Sequence, residues 1–306
     1  MATQDIVYQK KFLQIACKTK HAVDDFITGT VCPTTEFKQQ PEWLCDNQYI
    51  HCGHRKPTNS FLVCTRSIFQ LHNETVNIWT HLIAGFYFAH LCLQIIYSTQ
   101  LAPIDKWVVG LFLLSATSCH IISSMYHTFN CHSEHVSKIC SRMDYCGIIS
   151  LILFSFVPWI HYGFYLYPKL KAFYLILVIT LGFMAVNILM QDKFSRKSYR
   201  WLRVLTFISF GISGVLPGFH WLSLNYEQIV MESALRDSFF HLLLMGALYL
   251  TGTMLYAFRI PERYFPGKCD IFWHSHQLFH VFVSAATLVH FHGINELAGY
   301  IKTHLG

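Results

Sequence analysis

Charged residues are scarce. Asp, Glu, Lys and Arg make up 13% of the 306 residues, about half of the roughly 25% found in an ordinary soluble domain. With 53% of the chain hydrophobic, this excludes intrinsic disorder and argues against a water-soluble globule. The first 50 residues contain no apolar h-region, so no cleavable signal peptide is expected. Internal repeats and low-complexity tracts are also missing.

The few charges are unevenly placed. Seven long stretches have none: Thr75–Ile104, Trp107–Ser133, Tyr145–Pro168, Ala172–Gln191, Val204–Tyr226, Ser238–Phe258 and Ile271–Asn295. Each is at least 20 residues long, enough to cross a bilayer core of about 30 Å as a helix. Buried helices of a large soluble protein would need some polar face toward water, and these runs have none. They are also continuous rather than alternating, and too long for barrel strands of ~10 residues. The expected fold is all-α: a polytopic seven-transmembrane helix bundle.

Lys and Arg set the orientation. Eight lie in the N-terminal segment and ten in the second, fourth and sixth loops, against five on the opposite side. The N-terminus is therefore expected to be cytosolic and the C-terminus external, the reverse of a G-protein-coupled receptor. No DRY follows the third run and no NPxxY lies in the seventh, so no G-protein motif is present. The net charge of +6 reads as this inner-face bias, and no nucleic-acid partner is expected. The expected outer loops hold none of the eleven cysteines. Cytosolic thiols stay reduced, so no disulfide is expected. Cys45, Cys52 and His54 fit no standard zinc module.

The chain divides into four expected parts: a cytosolic, partly disordered segment (1–59), an interfacial amphipathic helix (60–72), the seven-span domain (73–295) and a short external tail (296–306). Residues 1 to about 40 are polar and aperiodic. In 60–71, Phe61, Cys64, Ile68 and Leu71 recur at helical spacing around Arg66, as in a helix lying on a membrane surface.

Ionisable groups at membrane depth tend to mark function, and histidine is unusually abundant at 19 residues. His90, His161, His220, His241, His290 and His292 read as hydrogen-bonded interhelical or interface residues. Three others converge by topology. His127 lies at the cytosolic end of the second run, and His276 and His280 lie at the cytosolic start of the seventh. The latter pair is i, i+4 and shares one helix face. Asp144 lies at the start of the third run, and Ser123 is one turn before His127. Three protein ligands with an open fourth position are the pattern of catalytic zinc, which suits a histidine-rich site without thiolate. The alternative is a polar network without metal. Gln277 stands where a HExxH helix would carry its general base. The base must then come from elsewhere, and Asp144 is the candidate.

The motifs NETVNIWTH (73–81), SSMYHTFNCHSE (123–134), DYCGI (144–148), SGVLP (213–217), RIPERYFPGKCDI (259–271) and SHQLFH (275–280) together resemble the progestin and adipoQ receptor family, most closely its adiponectin receptors. DNQYIHCGHR (46–55) matches the approach to the first span. The resemblance implies seven spans with the N-terminus inside, and zinc held by His127, His276 and His280, with Asp144 acting through water. The wider superfamily includes alkaline ceramidases with the same Ser-x3-His, Asp and His-x3-His pattern, implying catalytic roles for Ser123 and Asp144. It further implies a lipid pocket for ceramide or fatty acid, with Arg203 and Tyr145 as lipid-binding residues. Membrane lipids and an extracellular hormone of the adiponectin type are the implied partners. The plasma membrane is the implied location, with Golgi and endoplasmic reticulum as alternatives. Two readings follow: a zinc-dependent lipid amidohydrolase, or a non-enzymatic receptor or lipid sensor with structural zinc. Val76 and His274 depart from the family's usual residues, and the expected exterior is short.

Overall fold

The computed structural model describes residues 34–195 and 197–305. The expectation of loose order for residues 1 to about 40 therefore falls largely outside the described residues, as do four of the N-terminal lysines.

Among the described residues, seven helices are long and apolar enough to cross a membrane, one for each charge-free run. They are Thr75–Tyr97, Pro103–Phe129, Glu134–Gly163, Pro168–Leu189, Arg200–Leu224, Ser233–Phe258 and Ser275–His304. Local signals start them. Pro103 and Pro168 open the second and fourth, where a missing N–H costs nothing. Ser133 caps the third by accepting from Val136 N.

Six of the seven helices outrun their charge-free runs, and the third and seventh do so furthest. The third begins at Glu134, which places Asp144 about three turns inside the helix. The seventh continues to His304, where Lys302 pairs with Asp105 at 2.8 Å. Charges mark where a helix leaves the apolar layer, not where its hydrogen bonding ends.

The fifth span is two helices, Arg200–Ile212 and Val215–Leu224, broken at the SGVLP motif. Pro217 supplies no N–H to the preceding turn. At Gly214 a Cβ would lie 2.4 Å from Cε1 of Phe156, so any larger residue would have to displace that ring of the third span.

The sixth and seventh spans pack most extensively, then the first with the second and the second with the third. The seventh also touches the first and third. Of each span's apolar stretch, 61% is buried in the second and 50% in the seventh, but 11% in the sixth. The second and seventh thus carry the centre of the bundle, and they carry the three histidines.

One end of the bundle is capped by the N-terminal segment and the sixth loop. Thr34–Thr35 pairs antiparallel with His54–Arg55. A short helix, Phe61–Arg66, follows. Its Cys64 is buried, while Phe61, Leu62 and the nearby Phe69 are exposed. Gly267 N donates to Tyr49 O and Asn73 N to Gly53 O, each at 2.9 Å, so the cap's backbone is satisfied without long secondary structure. Cys52 is disulfide-bonded, which corrects the expectation that no disulfide forms. The eight remaining described cysteines are free. Compartment chemistry governs which thiols stay reduced; which sulfurs meet is decided by the fold. Cys45 donates to backbone carbonyls and His54 bonds Ile50 O and Asn73, so neither is left for a zinc module.

Candidate metal site and its cavity

At the capped end, ligand atoms of His127, His276 and His280 lie within 4.8 Å of one another. His127 comes from the last turn of the second span, the other two from the first turns of the seventh. The Nε2 atoms of His127 and His276 are 3.1 Å apart. A tetrahedral ion with Zn–N distances near 2.0–2.1 Å would set such atoms roughly 3.3 Å apart.

The surrounding groups orient the rings. Glu74 Oε2 accepts from His127 Nδ1 at 2.7 Å and from Asn77 Nδ2 at 2.6 Å, and Glu74 Oε1 accepts from Asn130 Nδ2 at 3.1 Å. His280 Nδ1 donates to the Asn77 carbonyl at 3.2 Å. These contacts assign the Nδ1–H tautomer to both rings and leave the two Nε2 lone pairs directed into one space. A cation satisfies that arrangement, and carboxylate or carbonyl partners behind ligating histidines are the usual support. The three residues therefore fit a metal ion. Burial raises the Glu74 pKa, but His127, Asn77 and Arg55 outweigh it and hold the carboxyl well below its usual range.

Buried Arg55 braces the same histidine. Its guanidinium donates to Ser67 Oγ at 2.7 Å, the Thr128 carbonyl at 3.0 Å and Asn130 Oδ1 at 2.8 Å, and also to the His127 carbonyl. It thereby caps the second span's C-terminal carbonyls. Glu262, fully buried, does the corresponding work for the seventh span. It accepts from Ser275 N at 2.7 Å, from Ser275 Oγ and from Asn47 Nδ2 at 2.9 Å. Gln277 donates to the Ile271 carbonyl and accepts from Trp273 N, both at 2.6 Å. It locks the loop and offers the site no base.

Asp144 is buried on the third span and receives the Ser123 hydroxyl. Its Oδ1 has no hydrogen-bond partner. Ser123, Asp144, His276 and His280 line one end of a cavity of about 240 Å³. The cavity continues between the third, fifth, sixth and seventh spans over apolar side chains such as Ile148, Phe207 and Leu250. Arg203 and Tyr145 also line it, the guanidinium 5.5 Å from the ring centroid. Arg203 donates to the Phe194 carbonyl at 2.6 Å.

All seven residues singled out from the sequence thus meet at the histidine cluster or on the wall of the adjoining cavity. Glu74, Asn77, Arg55 and Glu262 received no role from the sequence. Each lies inside a quoted motif, but a motif does not say which of its residues face inward. Of the histidines read as interhelical, His90, His220, His241 and His290 do have polar partners.

A model of the haemolysin-III related family matches residues 69–291. The chain is 45% identical over 266 residues to an adiponectin receptor protein of Drosophila melanogaster, covering 86% of this chain and 59% of that one. It is 43% identical over 281 residues to a progestin and adipoQ receptor-like protein of Caenorhabditis elegans, covering 89% and 64%. A heptahelical transmembrane protein of Arabidopsis thaliana is 35% identical over 260 residues, covering 82% and 77%. The chain spans about three fifths of the length of the two animal relatives. With seven spans, a histidine cluster able to hold a metal, and a family match across the bundle, this chain belongs to the haemolysin-III related family and to its progestin and adipoQ receptor members.

Proposed function

We propose that the protein is a zinc-dependent lipid amidohydrolase acting on ceramide-type substrates within the membrane. The observation that carries the reading is the unpartnered Oδ1 of Asp144, which lines the same apolar cavity as His276 and His280. Zinc in a three-imidazole site would polarise an amide carbonyl and lower the pKa of water at its open position to ~7. The chain's own residues supply the rest. The apolar wall aligns an acyl chain and excludes bulk water. Asp144 takes a proton from the attacking water at Oδ1. The C–N bond breaks as the C–O bond forms, and the proton passes to the departing amine. As Asp144 takes up the proton, the Ser123 hydroxyl is released from it and turns to donate to the developing oxyanion, and Arg203 with Tyr145 holds the polar part of the lipid. The products are a sphingoid base and a free fatty acid. The Drosophila relative's name supports an adiponectin-type hormone as a partner.

The test is fatty-acid release from ceramide, with zinc content measured on the same preparations of wild type and Asp144→Asn. The variant is expected to keep its zinc and lose ~10² to 10⁴ in rate, the usual worth of a general base. Wild-type protein that holds zinc and releases no fatty acid would establish the receptor or sensor reading with structural zinc instead.

A further inference from the structure

Among the described residues, one buried histidine has no hydrogen bond at either ring nitrogen. His81, on the first span, is 3% exposed, yet neither ring nitrogen makes a hydrogen bond. Its ring stacks on His280, centroids 3.4 Å apart and planes 12° from parallel, and meets His120 at 4.7 Å. The His280 carbonyl lies near, outside hydrogen-bond geometry for the ring, and already accepts from Ser284 Oγ at 2.9 Å. His120 is fully engaged, with Nδ1 on the Ala116 carbonyl at 2.8 Å and Nε2 on Ser284 Oγ at 3.1 Å. A stacked ring cannot share the metal position of the ring beneath it, so His81 is no fourth ligand.

The surroundings indicate what His81 does. It lines the cavity that holds Ser123, Asp144, His276 and His280. Buried polar groups in proteins are paired with few exceptions, and this one belongs to a residue on the cavity wall and finds no partner inside the protein. Neutral imidazole offers one donor and one acceptor. A hydroxyl can meet either one, accepting from the N–H or donating to the bare nitrogen. We propose that His81 is a specificity-determining contact that hydrogen-bonds a hydroxyl of the lipid head, beside the carbonyl directed at the histidine cluster. The inference rests on the lipid-amide reading above and narrows it: the cavity selects N-acyl amino alcohols over amides or esters without the hydroxyl. Stacking holds the His81 ring 3.4 Å from that of His280, next to the histidine cluster.

The experiment is a binding cycle with the purified full-length protein in detergent. Two probes are used, a fluorescent N-acyl amino alcohol and the matched N-alkyl amide lacking the hydroxyl. Wild type should prefer the hydroxylated probe roughly tenfold, the worth of about one net hydrogen bond. His81→Phe, which keeps the stack and removes both nitrogens, should bind the two probes equally. Its zinc content should be unchanged and its ligand-free melting temperature no lower. His81→Gln, which restores a donor and an acceptor, should recover part of the preference. A preference that survives in His81→Phe, or is absent from wild type, overturns the proposal. Zinc lost in His81→Phe also overturns it, because the ring would then be a support for His280. Binding of neither probe by wild type overturns both this contact and the lipid reading. A hydroxyl preference without fatty-acid release removes only the hydrolysis and leaves the contact standing.

Discussion

Replacing Glu74 by Gln tests the bracing of the metal site most directly. The carboxylate accepts three side-chain hydrogen bonds, two at Oε2 from His127 Nδ1 and Asn77 Nδ2 and one at Oε1 from Asn130 Nδ2. An amide of the same size has one acceptor atom. With its oxygen toward His127, its NH2 meets the Asn130 NH2 head-on. Asn130 cannot turn to compensate, because its Oδ1 takes the Arg55 guanidinium at 2.8 Å. The substitution therefore removes a charge and creates a donor–donor contact without opening a cavity. Loss of such a partner behind a ligating histidine typically weakens metal binding by about 10 to 100-fold, or about 1.4 to 2.8 kcal/mol. The assay strips the protein of metal, confirms its helicity by circular dichroism, and titrates zinc against a chromophoric chelator. A zinc Kd within twofold of wild type would refute the reasoning, and His127 would have to owe its orientation to packing alone.

Other expectations follow from the same geometry. His276→Ala and His280→Ala should lose most of the zinc, about one ion per chain in wild type by metal analysis, and should melt earlier because metal binding contributes to folding free energy. Gly214→Ala should destabilise by about 1 to 3 kcal/mol through overpacking against Phe156, read as a lower melting temperature. Gly211→Ala should not, because an added Cβ there meets nothing within 4 Å. The bias of Lys and Arg predicts that an N-terminal tag is labelled only after permeabilisation and a C-terminal tag on intact cells; the opposite pattern would move the histidine cluster to the outer face.

The seven-span architecture was legible because hydrophobicity along a chain is a one-dimensional property. A bilayer demands long uncharged runs whatever their packing, and each run became one helix except the fifth, which became two. The histidine cluster was legible for a related reason: a sequential order of spans fixes which helix ends share a depth, and i, i+4 spacing fixes a shared face. The tertiary structure alone decided everything that depends on rotation about a helix axis or on loops folding back. Glu74 is a charge at the edge of a run in the sequence, and it becomes the brace of His127 only once the first span is turned toward the second. Arg55 and Glu262 lie in segments without periodicity, and only the folded cap delivers them to the ends of the second and seventh spans. The disulfide at Cys52 belongs to the same class, since distance rather than compartment brings two sulfurs together. His81 shows the limit most plainly. Nothing in its sequence neighbourhood distinguishes it from the histidines that found partners, because a missing hydrogen bond depends on every surrounding residue at once.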